Sequence, residues 1–226
     1  MSPRRRFAIG AAVLYLITWV TSVAALPLYG GSAADATAPL AERGSVLTAA
    51  LLEVVLAVAV VGTAVALYPL LRPHGAGAAV GYAALRTLEA SVILLGVVAI
   101  LPAVARPALA ASPGLDQGVT EALHLVHDWT FVIGPGLINP VNAVVLATFL
   151  WRRRLVPRVV PLLGLVGSVL VAGMNVAVLF GVASAQPLLA MPLFAWEIGL
   201  AATLVWRGIP QALDAAPRRA LAPRMS

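Results

Sequence analysis

Six stretches of the chain are apolar for the length of a membrane crossing, and the residues between them are polar, small or proline. The first runs from Phe7 to Tyr29, 23 residues without a charge. The others cover about 47–71, 78–105, 124–150, 159–181 and 187–206. At about 1.5 Å of rise per residue, each is long enough for the roughly 30 Å hydrocarbon layer of a bilayer. The breaks are a Gly/Ser/Ala-rich segment over 30–46, the tight Arg72-Pro73-His74-Gly75 turn, a Pro- and Gly-containing loop over 106–123, and the basic Trp151–Arg154 and Arg158 flank. The pattern predicts an all-α fold: a polytopic membrane helix bundle of six transmembrane helices. It forms a single domain over 1–226, with 208–226 a short basic cytoplasmic tail. The first run is longer than the apolar core of a signal peptide, about 7–15 residues, so it is expected to stay as helix one.

Composition agrees with this pattern. Of 226 residues, 61% are hydrophobic and 11% charged, whereas a soluble domain is nearer half apolar and a quarter charged. There is no cysteine, which excludes disulfides, thiolate metal sites and cysteine nucleophiles. Every basic side chain other than histidine is arginine, and the formal charge is +6. A basic balance can signal nucleic acid, but these arginines cluster at the ends of apolar runs, as membrane topology requires. No nucleic-acid partner is expected. With the N-terminus inside, twelve of the fifteen arginines (Arg4–Arg6, Arg72, Arg152–Arg154, Arg158, Arg207, Arg218, Arg219 and Arg224) fall on the cytoplasmic side. Arg43 and Arg106 fall outside, and Arg86 lies within a span. That asymmetry predicts both termini in the cytoplasm. Heavy use of Ala, Val, Leu, Gly and Arg suggests a bacterial origin, and with it a multi-pass protein of the cytoplasmic (inner) membrane.

Candidate chemistry lies in the polar residues inside the spans, because an ionisable group in hydrocarbon is costly and needs a partner or a function. The fourth span opens with HLVHDWTFVIGPGLINPVN, from His124 to Asn142. Gly134-Pro135-Gly136 and Asn139-Pro140 are expected to kink or break it, since each proline lacks an N–H and crowds the preceding turn. Glu53, Arg86, Glu89, Asn175 and Glu197 lie in other spans. On the six-helix topology Glu53 and Asn175 lie in the outer third, and His127 and Asp128 lie near the outer boundary. Glu89, Asn139 and Glu197 lie near mid-depth, with Arg86 slightly further in. All these groups thus fall in the middle and outer half, which predicts one buried polar cluster around an outward-opening cavity.

Glu53, Glu89, Asp128 and Glu197 are the candidate catalytic acids. Arg86, His127, Trp129, Asn139, Asn142, Asn175 and Trp196 are the candidate binding or supporting residues. Each also has a plainer reading. Arg86 and Glu89, at i and i+3, can be a self-contained ion pair, and the asparagines can be interhelical hydrogen bonds. Glu53 can be a solvated helix start, and Asp128 a favourable anion at a helix N-terminus. Trp19, Trp129, Trp151 and Trp206 can be interfacial anchors, while Trp196 sits at mid-depth beside Glu197. His124-x-x-His127-Asp128 has the ligand types of a zinc site but lacks a second half, so no metal is expected, and no cofactor. Walker, Rossmann, H-E-x-x-H and G-x-S-x-G motifs are missing.

Arg86-x-x-Glu89, His127-Asp128-x-x-Phe131, and the run from Arg152 through Leu155-Val156-Pro157-Arg158 to Gly167 together resemble the bacterial integral membrane family "domain of unknown function 4386". The resemblance extends from the first span to Glu197, and it implies six membrane helices with no activity attached. In size and in its scattered intramembrane acids the chain is also similar to integral-membrane terpene cyclases, although the fungal examples have seven helices. That resemblance implies acid-base chemistry on a lipid-like, isoprenoid substrate. A carboxylic acid in a dry pocket would protonate an alkene or epoxide, and aromatic faces such as Trp129, Trp196, Tyr15 and Tyr82 would stabilise the cation. The alternative is a small transporter, a ligand-binding sensor or a structural membrane component without catalysis. The expected partners are the lipid bilayer and an apolar or amphiphilic small molecule. A second copy of the chain is a further candidate, since a chain this short without a repeat would have to pair to build most transport paths.

Overall fold

The computed structural model describes residues 1–29, 40–104 and 116–210, with only the backbone of 40–42. The expected loops over 30–39 and 105–115 and the tail beyond 210, with Asp35, Arg106, Arg218, Arg219 and Arg224, lie outside the described residues.

Helix α1 spans Pro3–Ala25 and continues as a 3₁₀ turn over Leu26–Tyr29. It starts before the apolar run because Ser2 caps it, accepting from the Arg5 N–H at 3.4 Å, and because Pro3 occupies a first-turn position where a missing N–H costs nothing. Helix α2 spans Leu40–Leu71 and α3 Ala76–Val104, joined by a 3₁₀ turn at Arg72–His74. The start of α2 is seven residues ahead of the predicted Leu47. Ser45 donates to the Leu28 carbonyl at 3.0 Å and ties this early turn to the end of α1.

The fourth crossing departs most from the hydrophobic pattern. Helix α4 spans Gln117–Ile133, beginning seven residues before His124. Its polar first turns are held by the Asp116 cap on the Gly118 N–H (3.4 Å) and by a Gln117–Glu121 hydrogen bond (3.0 Å). Hydropathy does not register such a start. A π-helical turn over Gly134–Ile138 follows, and α5 spans Asn139–Arg153. Helical hydrogen bonding is thus interrupted at Pro135, as expected, but the segment stays helical throughout. The wider π turn absorbs it, with the Asn139 N–H donating to the Gly134 carbonyl. Helix α6 spans Val159–Leu179, and α7, Met191–Trp206, follows a 3₁₀ turn at Pro187–Ala190.

Among the described residues, six helical segments are thus long and apolar enough to cross a membrane, counting α4, the π turn and α5 as one. Each packs on the next in sequence, and α7 packs back on α1, so the crossings form a closed antiparallel ring. Both ends of the described chain meet at one end of this ring. There Arg4 donates to the Pro210 carbonyl at 3.1 Å, Arg5 to the Leu204 carbonyl at 3.4 Å, and His74 to the Pro210 carbonyl at 2.9 Å. The same end carries Arg72, Arg152–Arg154, Arg158 and Arg207, and is called the arginine end below. The outside of the ring is apolar: Val58, Val65, Val98 and Val169 are 64–70% exposed. Only lipid can solvate such a surface without cost, so this is a multi-pass membrane protein.

Between α6 and α7 the helices approach through glycine. A Cβ on Gly164 would lie 2.8 Å from the Trp196 ring, and one on Gly167 would collide with the Leu193 backbone. Close approach through small residues is the main source of helix association in lipid. Gly173, on the same helix, faces open space. Gly167→Ala is therefore expected to cost about 1–3 kcal/mol of stability through overpacking, read as a lower melting temperature of the purified protein in detergent. Gly173→Ala should melt at or above the parent. Equal effects of the two changes would contradict the α6–α7 contact.

Candidate functional site

Arg86 is 2% exposed in the middle of the bundle. Its side chain is divided among three helices. Nε donates to Thr63 Oγ1 at 3.2 Å and to the Val60 carbonyl at 3.4 Å on α2. Nη1 donates to Glu89 Oε2 at 3.0 Å, one turn along α3. The Tyr15 ring of α1 lies 5.8 Å from the guanidinium carbon, and the Tyr15 and Tyr82 hydroxyls are 2.6 Å apart beneath it. Glu89 accepts a second bond, from Asn142 Nδ2 of α5 at 2.7 Å. Arginine and carboxylate are thus paired and further hydrogen-bonded, which is what makes a charge pair tolerable in a low-dielectric interior. One guanidinium nitrogen, Nη2, is buried and has no partner among the described residues.

Above this pair lies a cavity of about 300 Å³. Arg86, Glu89, Asn139, Asn175 and Glu197 contribute its polar wall. Its apolar wall comes from Trp19, Leu56, Val60, Ile93, Phe131, Val171, Met174 and Phe194, and it extends past Ser22 and Leu26 to Ala185 and Pro187. It therefore runs from mid-bundle to the end opposite the arginine end. The π turn shapes it directly, because Pro135 and Gly136 line it. A Cβ on Gly136 would occupy the place of the Asn175 side chain, so glycine is what lets that amide sit against the π turn. Asn175 Nδ2 is committed to the Val171 carbonyl at 2.9 Å. Glu197 is 9% exposed and makes no hydrogen bond or ion pair with the described residues. Trp19 and Phe194 meet edge to face, with ring centroids 6.4 Å apart, where α1 closes on α7.

A second polar group lies outside the cavity lining, between α2 and α4. His127 Nε2 is 3.1 and 3.2 Å from the two carboxylate oxygens of Glu53, and its Nδ1 is 3.5 Å from Asp128. The Tyr29 ring packs on the imidazole at 4.5 Å and the Phe131 ring at 5.3 Å. Glu53 is buried, whereas the Asp128 side chain is 73% exposed. Gly96 lets α4 come this close to α3, since any Cβ there would strike Thr130 Oγ1.

The polar residues expected to form one cluster are therefore divided in two. Arg86, Glu89, Asn139, Asn175 and Glu197 line the cavity, with Asn142 behind them on Glu89, whereas Glu53, His127 and Asp128 form a separate α2–α4 contact. Trp129 is 41% exposed and faces outward. Trp196 is buried behind the cavity against Gly164 rather than lining it. Tyr15 and Tyr82 support the guanidinium from below. Among the described residues no group of three or more His, Cys, Asp or Glu side chains is placed to hold a metal ion. Trp19, Thr63 and Phe194 were missed by sequence reasoning. Trp19 reads as an interfacial anchor by position, and Thr63 carries no signal until Arg86 is known to lie opposite it.

The pair model has a direct consequence for stability. Arg86→Leu or Glu89→Gln alone leaves a buried charge without its partner, a loss of about 3–5 kcal/mol. The double variant should lose less than the sum of the two, measured by thermal unfolding of the purified proteins. Additive losses would contradict the pair.

No curated protein and no solved structure matches the chain. The family model "Domain of unknown function (DUF4386)" matches residues 10–208, which run from the first turns of α1 to the end of α7 and include both polar groups, and the chain belongs to that family.

Proposed function

We propose that the cavity binds a lipid-like, isoprenoid-type molecule and that Glu197 serves as its proton donor, as in a membrane-bound cyclase or isomerase. One observation carries this reading: among the four candidate acids, Glu197 is the acid on the cavity wall that has no partner among the described residues. Glu89 is held by Arg86 and Asn142, Glu53 by His127, and Asp128 is exposed. A free carboxyl in a mostly apolar cavity suits general acid chemistry. In such a step Glu197 gives its proton to an alkene carbon or epoxide oxygen. The resulting cation closes a ring, and loss of a proton back to the carboxylate leaves an isomer of the substrate. Trp19, Phe131 and Phe194 supply aromatic faces along the apolar wall. We place the protein in a bacterial cytoplasmic membrane with the arginine end inside, on the arginine asymmetry, so that the cavity faces the outer half.

Binding followed by transport is the second reading. The π turn favours it, because an interrupted helix at a binding site is a recurrent feature of transporters. Buried leucines and alanines below Arg86, among them Leu67, Leu70, Leu146 and Leu200, weigh against it, since they fill the arginine end of the ring.

Membranes containing the protein, supplied with a panel of prenyl alkenes and epoxides, are expected to form a cyclised product. Glu197→Gln should lower that product at least about 100-fold, the lower range of a general acid's contribution, with the folded amount unchanged. Glu53→Gln and Asp128→Asn should stay within a few-fold of the parent. Absence of product from every substrate, with all variants folded, would move the assignment to binding or transport.

A further inference from the structure

We propose that the turn between α5 and α6 binds the phosphate of an anionic phospholipid from the leaflet at the arginine end, with an acyl chain laid along the outer face of α6. Arg152, Arg153, Arg154 and Arg158 hold the head group. The proposal is independent of what the cavity binds.

The turn is anchored so that these side chains point outward from it. Leu155 and Val156 are buried in the core, and the Leu155 N–H donates to the Leu150 carbonyl at 3.1 Å. On either side of that anchor Arg152, Arg153, Arg154 and Arg158 are exposed, and their side chains make no hydrogen bond or ion pair with the described residues. Arg4 and Arg5, by contrast, donate to backbone carbonyls at the same end of the ring. The Arg158 guanidinium lies over the Trp151 ring, 5.6 Å from its centroid, and is thereby held across the turn toward the arginines that end α5. Arg154 is the residue other than glycine with a positive φ among the described residues, at 52°. Glycine is the usual residue where a helix closes in this way, because it has no Cβ to crowd the left-handed conformation. Membrane topology asks only for arginines on one side of the bilayer. It gives no reason to place one where glycine fits better, whereas a use for the side chain does.

Charge and surface together select the ligand. The described carboxylates lie elsewhere: Glu53, Glu89 and Glu197 are inside the bundle, and Asp116, Glu121 and Asp128 are toward the start of α4, at the opposite end of the ring. The four guanidinium groups thus have no anion of their own among the described residues, and arginine's planar fork suits phosphate oxygens. Directly beyond Arg158, Val159, Leu162, Val166 and Val169 are 46–70% exposed. Spaced by three and four residues, they form one apolar stripe along α6. From Val159 to Val169 the stripe rises about 15 Å, half of the roughly 30 Å hydrocarbon layer and so the depth of one leaflet. A free phosphate or an acidic peptide would use the arginines and leave the stripe; a lipid uses both. A phosphatidylglycerol head group keeps its negative charge, whereas the choline cation of phosphatidylcholine offsets the phosphate and repels the arginines.

The full chain, purified in a neutral detergent, would be titrated with dioleoyl phosphatidylglycerol, with dioleoyl phosphatidylcholine and with inorganic phosphate, and bound lipid counted by native mass spectrometry. Phosphatidylglycerol is expected to bind saturably and at least about ten-fold tighter than phosphatidylcholine, since each arginine near an anionic head group contributes about five-fold and four converge here. Arg154→Gly removes one guanidinium and the left-handed strain together. It should melt at or above the parent and yet bind phosphatidylglycerol about five-fold more weakly, a separation that a purely structural Arg154 would not produce. Arg207→Gln, at the same end of the ring but off the turn, should bind as the parent does. Changing all four turn arginines to glutamine should abolish the preference; if that variant does not fold, Arg154→Gly and Arg207→Gln decide. Equal affinity for the two lipids, displacement of the lipid by inorganic phosphate at constant ionic strength, full preference in Arg154→Gly, or an equal loss in Arg207→Gln would each overturn the site.

Discussion

A guanidinium at the centre of a lipid-embedded bundle cannot borrow water, so protein groups must satisfy it, and much of this structure follows from that requirement. Arg86 recruits Thr63 and the Val60 carbonyl from α2, Glu89 from its own helix, the Tyr15 ring from α1 and, through Glu89, Asn142 from α5. Four of the six crossings are thereby registered against one side chain. Apolar contacts in lipid cannot do this, because a leucine packed on lipid is nearly as well off as a leucine packed on a neighbouring helix. Satisfying the arginine positions the helices, and the cavity lies above its pair with Glu89.

The fourth crossing is where the chain gives up regularity to make room. A straight α-helix over Gly134–Ile138 would not tolerate Pro135 and would set the residues beyond it at a different rotation. The π turn accommodates the proline, and Gly136 leaves space for the Asn175 amide. Asn139 and Asn142 follow in α5, one on the cavity lining and the other on Glu89. Above the turn, His127 holds α4 to Glu53 of α2 independently of the cavity. The crossing is anchored on either side of its own weak point, which fits π turns being retained where they shape a site.

Hydropathy alone was enough to read the number of crossings, their order and the grouping of arginines at one end, because each rests on long apolar runs that any packing must respect. Helix starts were less legible. Ser2-Pro3 and Asp116-Gln117 start helices through capping, and capped polar turns leave no trace in hydropathy. The polar residues stood out by their cost in hydrocarbon, and most of them are buried between helices. Their partition was not legible, since depth places Glu53 and Asn175 at the same level but not on the same side of the ring. Rotation about each helix axis decides which carboxyl faces a cavity, and helices that are apolar all round carry no amphipathic stripe from which to read it.

The distribution of filled and empty space bears on what such a bundle can do. Below Arg86 the ring is packed with Ala8, Ala11, Leu67, Leu70, Leu146, Leu150, Leu200 and Leu204, all nearly without exposure. Above it the same helices enclose open volume lined by Glu197, Asn139 and the aromatic wall. The cavity is therefore blind: it reaches one end of the ring and stops at the guanidinium. Conduction through such a ring would require the leucine layer to part, and each buried leucine separated from its neighbours loses packing that lipid only partly replaces. The described residues of all six crossings wall this pocket. At its closed end lie Arg86, paired with Glu89, and Glu197, a carboxyl without a partner among the described residues.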